Sequence, residues 1–306
     1  MLALAPMAGI TNLAWRLICK NNGADVVYSE MVSADGLAFE NKKTLLMLKT
    51  VVAEQPLVIQ LFGKDPSKMA QAVKIINRTK VAGIDLNFGC PAQKVIRHGG
   101  GASLMKNLEL CRKIIQTACE VSIKPVSLKL RTSINHLGKK ITALDFLQKI
   151  ADLPVAAIMI HGRTYEQGFV GDIDCQAIRD SRKYFKGLIL ANGGLMKPED
   201  ALKILSETKA DGLGLARGTY GQPWIFQEIK DLIDNQKYIS PDWKLKKKII
   251  LEHAKLAFKY DNDHGLLEMR KHLLWYVKGL PNASAVRQEI IKVTSLSEIK
   301  KVLDNI

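Results

Sequence analysis

The chain has 306 residues, of which 47% are hydrophobic and 25% are charged, so it can bury a large core and does not have the composition of a disordered protein. Its net charge of +15 suits either a polyanionic partner or a generally basic surface that keeps the protein soluble. Five cysteines without zinc-like spacing, and no apolar run of about 18 residues, exclude a disulfide framework, a metal site and a membrane span, so we expect a soluble cytoplasmic protein.

Short apolar segments alternate with helical patterns as far as residue 235. Strands are predicted at residues 2–5, 26–29, 56–61, 84–87, 125–130, 155–160, 187–191 and 211–215. Helices between them are predicted at residues 66–79, 104–120, 143–151 and 198–206, among others. Apolar strands in βα alternation indicate a parallel sheet that is covered on both faces. Eight such units favour a closed (β/α)8 TIM barrel over an open sheet.

The chain changes character after residue 235. From Lys237 onward there is no strand pattern, and helices are predicted at residues 244–260, 265–278 and 283–293, with a short one after Leu296. Fourteen basic residues stand against eight acidic ones in this part. We therefore expect a barrel domain at residues 1–235 and a small all-α domain at residues 236–306. The three lysines at 246–248 favour polyanion binding over the alternative of a helical cap that only covers the barrel.

Functional residues of such barrels gather where the strands end at their carboxyl side. Predicted strand one is followed by Pro6, Met7 and Ala8 in a tight turn, whose backbone can approach a flat ligand closely. Strand three ends near Gln60, whose amide both donates and accepts hydrogen bonds, as a flavin or pyrimidine edge requires. Each of these signals is weak by itself.

The strongest chemical signal follows strand four, at residues 87–91 (NFGCP). A cysteine directly after a barrel strand faces the cleft, and the thiol of Cys90 can deliver a proton. Strand five ends in Lys129 and Arg131, which share one face because side chains alternate along a strand. A lysine in a barrel mouth is seldom a packing residue, since burying it unpaired is costly.

The last three strands end in residues suited to a phosphate-bearing ligand. His161 ends strand six, and its position beside Lys129 favours a ligand contact over a core histidine. Strands seven and eight are followed by Asn192, Gly193, Gly194, Ala216 and Arg217. Glycine amides and one arginine in these two loops suit a monophosphate. With polar groups for a flat ligand and one cleft thiol, the pattern indicates a barrel that binds flavin mononucleotide (FMN).

Short motifs occur in order along the whole chain. They are APMAGIT, SEM, VIQLFG, DLNFGCP, LKLR, IHGRT, ANGG and ARGxxGxPW, with MRKHxxWY in the helical tail. In this order they resemble the tRNA-dihydrouridine synthases, and the bacterial DusB-like group is the most similar. A single motif of this kind can arise by chance, whereas the whole series in this order is highly specific for the family.

The resemblance implies an oxidoreductase that reduces uridines in tRNA to dihydrouridine. In that family NADPH reduces bound FMN, hydride passes from flavin N5 to uracil C6, and the cysteine that corresponds to Cys90 protonates C5. The uridine must leave the base stack, because C6 cannot lie against a flavin while the base stays stacked. The resemblance also implies that residues 236–306 bind tRNA, and we expect a monomer.

Position by position, the resemblance implies roles for individual residues. It assigns FMN binding to Pro6, Met7, Ala8, Gln60, Lys129, His161, Asn192, Gly193, Gly194, Ala216 and Arg217. It assigns the uracil edge to Asn87 and Arg131, and it gives Lys129 the task of stabilising negative charge on the reduced flavin. Two positions depart from the family pattern. Ala216 replaces a frequent glycine, so we expect a slightly altered backbone approach to the phosphate, and Phe169 replaces a tyrosine that contacts the base in some members.

Three other functions stay open at this point. An FMN barrel that acts on a free small molecule, such as a dihydroorotate dehydrogenase, shares the barrel and the flavin but has no use for a basic helical tail. An aldolase that forms a Schiff base at Lys129 would use the phosphate-binding loops for a sugar phosphate. The third is an RNA-binding protein that keeps the barrel only as a scaffold, against which the intact Cys90 and Lys129 argue.

Overall fold

The computed structural model describes residues 1–306, which form ten strands and thirteen α-helices. The strands are β1 (Leu2–Leu4), β2 (Val26–Ser33), β3 (Leu57–Phe62), β4 (Gly83–Phe88), β5 (Val126–Arg131), β6 (Ser133–His136), β7 (Lys139–Thr142), β8 (Ala157–His161), β9 (Leu188–Asn192) and β10 (Gly212–Leu215). The helices are α1 (Leu13–Asn21), α2 (Ala34–Ala38), α3 (Lys42–Leu46), α4 (Pro66–Asn77), α5 (Gln93–Arg97), α6 (Leu108–Val121), α7 (Ala143–Lys149), α8 (Cys175–Asp180), α9 (Pro198–Thr208), α10 (Ile225–Asn235), α11 (Trp243–Tyr276), α12 (Ala283–Ile290) and α13 (Leu296–Asp304).

Eight of the strands are parallel and close into a barrel in the order β1-β10-β9-β8-β5-β4-β3-β2. Strand β1 closes it, because Ala3 pairs with Gly214 of β10 on one side and with Val26 of β2 on the other. Helices lie between the successive barrel strands and cover the outside of the sheet. The predicted (β/α)8 barrel with a helical carboxyl-terminal part is therefore confirmed.

The inside of the barrel is filled with side chains. Ala3, Tyr28, Met159 and Leu190 form a buried cluster there, whereas the alternate residues of the same strands belong to a separate core beneath the helices. A Cβ atom at Gly214 would lie 2.7 Å from the sulfur of Met159, so glycine at that point of β10 leaves room for the Met159 side chain. A ligand can therefore enter only above this packed layer, at the ends of the strands.

Side-chain caps begin several of the outer helices. Asp65 accepts a hydrogen bond from the backbone amide of Ser67 at the start of α4, where Pro66 occupies the first turn. Asp242 accepts one from the amide of Leu245 at the start of α11. Such caps satisfy amides that have no partner within the helix, which explains why these helices begin close to the predicted positions.

A two-stranded hairpin, β6–β7, follows β5 and is absent from the sequence prediction. Its turn residues Leu137 and Gly138 both have positive φ, 50° and 73°. Such turns usually carry Asn-Gly or Asp-Gly. Because Leu137 stands in the first of these two positions, the sequence pattern did not predict a hairpin. The helix predicted at residues 104–120 also differs, because a 3-10 helix (Gly101–Lys106) precedes α6.

The chain after β10 is entirely helical. Helix α11 is interrupted at Asp261 and Asn262, where Asn262 has a φ of 49°, and this break separates the two helices predicted at residues 244–260 and 265–278. Helix α11 packs on α1, and α12 and α13 pack against α11. None of the helices is both long and apolar enough to cross a bilayer.

Candidate active site

A cavity of about 640 Å³ lies where the carboxyl ends of the barrel strands meet the loops that follow them. Barrels of this architecture carry their active sites at this end. All fourteen residues that the sequence predicts for the site line this cavity: Pro6, Met7, Ala8, Gln60, Asn87, Cys90, Lys129, Arg131, His161, Asn192, Gly193, Gly194, Ala216 and Arg217. The fold thus brings them together, and their individual roles stay predictions.

Cys90 lies in the turn after β4, which the side chain of Asn87 holds in place. The side-chain oxygen of Asn87 accepts hydrogen bonds from the backbone amides of Gly89 (3.1 Å) and Cys90 (2.9 Å). The side-chain nitrogen of Asn87 then donates to the side-chain oxygen of Gln60 over 2.8 Å. Because the two backbone amides determine which end of Asn87 is the oxygen, they also determine the orientation of Gln60.

Asp85, on β4 behind Gln60, is a fully buried carboxyl group that the sequence analysis missed. It accepts hydrogen bonds of 2.7 Å from the side-chain nitrogen of Gln60 and from the hydroxyl of Ser127. Burial raises the pKa of the Asp85 carboxyl to about 6, and these two hydrogen bonds oppose the rise. The signal was present, since Asp85 precedes Asn87 by two residues and the two therefore share the inner face of β4.

Lys129 projects from β5 into the cavity. Its ammonium group donates to the side-chain oxygen of Asn192 over 3.0 Å, and the Asn192 nitrogen donates to the backbone oxygen of Gly214 over 2.6 Å. The ammonium has no second acceptor in the protein, so two of its three N–H donors are free for a ligand. Burial, followed by the positive charge of Arg131, lowers the pKa of Lys129 to about 8, and the group therefore stays mostly protonated at neutral pH.

Arg131 is almost completely buried and joins two loops. Its guanidinium donates to the backbone oxygens of Gly89 (2.9 Å), Thr164 (2.8 Å) and Gly168 (2.8 Å). The side chain therefore connects the turn that carries Cys90 to the loop after β8. Only Nη2 has no acceptor in the protein, so the predicted contact with a uracil edge depends on that nitrogen.

His161, at the end of β8, is surrounded by positive charge. Burial, followed by the charges of Lys129, Arg131 and Arg163, lowers the pKa of His161 to about 2, so the imidazole is neutral at physiological pH. Its Nε2 lies 3.5 Å from Nη1 of Arg163. A cavity with a neutral histidine among a lysine and several arginines favours an anionic ligand.

The loops after β9 and β10 carry glycine where a side chain would collide with the protein. Gly193 has a φ of 104°, and a Cβ there would lie 2.8 Å from Cδ2 of His161. A Cβ at Gly218 would collide with the backbone oxygen of Leu195. The two loops consequently pack backbone against backbone, with Arg217 beside them. Main-chain amides and one guanidinium form a donor set that fits a phosphate ester.

The two departures from the family pattern both fit locally. Phe169 is half-exposed, and its ring centroid lies 4.8 Å from the guanidinium carbon of Arg217 and 5.6 Å from that of Arg131. Arg217 also donates to the backbone oxygen of Phe169 over 3.2 Å. Ala216 is half-buried and packs against the inner cluster of the barrel.

Further residues that line the cavity were not predicted as site residues. Arg163 lies two positions after His161, so alternation along the strand end was an available signal. Met31 follows a bulge in β2 between Tyr28 and Met31, where the register is interrupted. Tyr220 gave no local signal, because its position depends on a helix far along the chain.

The chain is similar in sequence to proteins named as tRNA-dihydrouridine synthases over most or all of its length. A family model described as "Dihydrouridine synthase (Dus)" matches residues 3–306. A "Probable tRNA-dihydrouridine synthase" of Helicobacter pylori is 36% identical over 308 residues, which cover 100% of this chain and 90% of that protein. The "tRNA-dihydrouridine synthase B" of Pseudomonas aeruginosa is 32% identical over 291 residues, which cover 94% of this chain and 87% of that protein.

Solved structures share the barrel at low sequence identity. Histamine dehydrogenase from Rhizobium sp. 4-9 superposes with a TM-score of 0.60 at 11% identity, covering 99% of this chain and 61% of that one. The old yellow enzyme from Trypanosoma cruzi superposes with a TM-score of 0.52 at 11% identity, covering 80% of this chain and 91% of that one. At such identities the likeness concerns the fold alone.

Proposed function

The chain belongs to the dihydrouridine synthase family, and we propose that it is an FMN-dependent tRNA-dihydrouridine synthase that uses NADPH to reduce the C5=C6 bond of specific uridines in tRNA. The observation that carries the proposal is one basic cavity lined by both a thiol, Cys90, and a half-buried ammonium group, Lys129, in a chain of this family. The names of the relatives support tRNA as the substrate.

The residues of the cavity fit FMN. The glycine-bearing loop at Gly193 and Gly194, together with Arg217, offers the donors that a phosphate ester needs. Gln60 and the free donors of Lys129 suit the carbonyl and nitrogen edge of a flat ring. The other residues that we assign to this site are Pro6, Met7, Ala8, His161, Asn192 and Ala216. When bound, FMN supplies to uracil C6 the hydride that it receives from NADPH.

The chain itself supplies the proton and the orientation of the base. We assign the proton at C5 to the Cys90 thiol, so that one hydride and one proton together saturate the C5=C6 bond. Asn87 retains one free side-chain N–H, and Arg131 retains Nη2, and both are donors suited to uracil carbonyl oxygens. Lys129 places a positive charge where negative charge accumulates during the reduction.

In this proposal the two parts of the chain have different binding roles. Residues 1–235 hold the cofactor and the reacting base, and residues 236–306 bind tRNA phosphates through their excess of basic residues. The target uridine leaves the base stack to reach the cavity, which costs a few kcal/mol of stacking and pairing. We expect the enzyme to act in the cytoplasm as a monomer.

The test is reconstitution with purified protein. The protein should bind FMN, and with NADPH it should form dihydrouridine in tRNA from a strain that lacks the gene, as measured by mass spectrometry of digested tRNA. Rates should fall as salt rises, because phosphate contacts are screened. No affinity for FMN, or salt-independent turnover of a free small molecule in place of tRNA, contradicts the proposal.

A further inference from the structure

The loop that carries Arg217 is anchored on the helical part of the chain. Tyr220, three residues after Arg217, lines the cavity and stacks on Trp275 of α11. The two ring centroids are 3.9 Å apart and the ring planes differ by 7°. Aromatic contacts of this kind contribute energy beyond the area that they bury, so the stack restrains the loop as well as covering it.

Backbone packing reinforces the stack. Gly221 has a φ of 71°, and a Cβ there would lie 2.5 Å from the carbonyl carbon of Trp275 and 2.9 Å from the amide nitrogen of Tyr276. Only glycine lets the turn lie directly on the last turn of α11. The barrel loop and the helix end are therefore in main-chain contact, in addition to the contact between their aromatic rings.

Trp275 packs against a cluster of buried aromatic rings. The ring of His272 meets that of Trp275 edge-on, with centroids 5.2 Å apart, and its centroid lies 4.7 Å from that of Trp15 of α1. Tyr276, the next residue of α11, lies 6.2 Å from Trp224. Because Trp15 and His272 are almost completely buried, Trp275 has little freedom to move relative to the barrel.

The opposite side of the same loop is tied to the other half of the phosphate-binding region. The side-chain nitrogen of Gln222 donates to the backbone oxygens of Met196 (2.9 Å) and Gly218 (2.7 Å). Arg217 therefore sits on a short segment that is tied to the loop after β9 on one side and to Trp275 on the other. Loss of the second anchor leaves the segment tied on one side only.

We propose that Trp275 is a positioning residue of the cofactor site: through Tyr220 it holds Arg217 and the neighbouring backbone amides where a phosphate ester binds. The inference rests on the proposed FMN-dependent function and extends it. The helical part, which we assign to RNA binding, then also completes the cofactor site, so cofactor affinity depends on how this part is docked.

The test compares two probes, FMN and riboflavin, which differ only in the phosphate. Their dissociation constants are measured by fluorescence quenching with wild-type protein, Trp275→Ala, Trp275→Phe and Phe258→Ala. We expect the alanine variant to bind FMN about tenfold more weakly while its riboflavin affinity changes little. The phenylalanine variant keeps a stacking ring and should recover most of the loss. Phe258 is a half-exposed aromatic residue of the same helix, so its variant is the matched control and should bind both probes normally.

Each outcome decides the question. Unchanged FMN affinity in a folded Trp275→Ala variant overturns the proposal, and so does an equal loss for FMN and riboflavin, which indicates a general collapse of the cavity. If that variant does not fold, Trp275→Leu, which keeps apolar volume but cannot stack, is measured in its place. A wild-type protein that binds no FMN overturns both this inference and the proposed function, whereas failure of the variants alone overturns only this inference.

Discussion

The side chains of Asn87 and Gln60 are joined across strands β4 and β3 by a hydrogen bond of 2.8 Å, in which the nitrogen of Asn87 donates. The oxygen of the same Asn87 accepts from the backbone amide of Cys90. A thiol at a cavity wall is thereby held in place by a neighbouring strand, although it sits in a turn. Preorganisation of this kind is what a proton donor needs, because it must meet its acceptor without rearrangement.

Cys90→Ala should separate proton donation from the other steps. The variant should bind FMN and tRNA and should still oxidise NADPH, while dihydrouridine formation falls by about 10²–10⁴-fold, the usual contribution of a general acid. Dihydrouridine in digested tRNA is the measurement. Cys119→Ala, on the outer helix α6, is the matched control and should be fully active. An undiminished yield from Cys90→Ala shows that another group supplies the proton.

Lys129 should impose an alkaline limit on activity. Its pKa is lowered to about 8, so the positive charge is complete below that pH and is lost as the pH rises through it. We expect kcat/KM for tRNA to fall above about pH 8, since this ratio reports ionisations of the free enzyme. Lys129→Arg stays charged and should move the alkaline limb to higher pH, whereas Lys129→Met should be weakly active at every pH. An alkaline limb at the same pH in the arginine variant and the wild type assigns it to another group.

Phe169 should matter for cofactor binding through its ring and not through a hydroxyl. Phe169→Leu removes the ring from the Arg217 guanidinium, and a contact of this kind is worth about 0.5–1 kcal/mol, which predicts FMN binding about two- to fivefold weaker. Phe169→Tyr should bind FMN normally and lower the KM for tRNA, because the added hydroxyl can reach the base. Titration with FMN and initial rates decide both points, and an unaltered leucine variant refutes the first.

The three lysines at 246–248 should contribute unequally to RNA binding. Lys246 lies 5.4 Å above the Trp224 ring and Lys247 pairs with Asp304, whereas Lys248 is exposed. Neutralising all three should weaken RNA binding and flatten its salt dependence, and Lys248→Gln alone should account for most of the change in slope, about 0.7–0.9 per lost phosphate contact.

The measurement for these lysines is the tRNA dissociation constant at several salt concentrations. Lys80→Gln is the control, because Lys80 is exposed just before β4, at the end of the barrel opposite the cavity. A slope that is the same in the triple variant and the wild type removes this stretch from the RNA interface.

The junction between α1 and α11 should be sensitive to acid. Burial lowers the pKa of His253 to about 3 and lowers the pKa of His272 well below its ordinary value, so both are neutral when folded. Their contribution to stability is complete above the unfolded pKa of about 6.5 and is lost as the pH falls below it. At pH 5 the loss for His253 is about 2 kcal/mol.

Urea unfolding at pH 7 and pH 5 measures this loss. His272→Phe should reduce the pH dependence, because both ring nitrogens of His272 lack a partner and a phenyl ring removes the titrating group. His136→Gln, on the β6–β7 hairpin, is the control and should leave the dependence unchanged. Equal pH dependence in wild type and His272→Phe contradicts the prediction.

The sequence pattern alone was sufficient to predict the strands and the residues at their carboxyl ends. The eight strands were predicted to within about two residues at most ends, because each is an apolar run bounded by turn residues. The strand-end residues followed directly, since parallel strands deliver their carboxyl ends to one side of the barrel. The hairpin at Leu137 and the bulge before Met31 were missed. Each depends on backbone angles that the residue types at these positions do not predict.

By itself, the amino-acid order determined the barrel, the cavity residues and the cysteine that we assign as proton donor, because hydrophobic periodicity and strand ends are local properties of a chain. Only the tertiary structure decided which of these groups are already hydrogen-bonded or packed within the protein. Arg131 has one nitrogen without an acceptor, and Asp85 lies buried behind Gln60. The loop that carries Arg217 is held by the stacking of Tyr220 on Trp275. Hydrogen-bond saturation, burial and ring stacking are relations between distant segments, and they exist only once the chain has closed on itself.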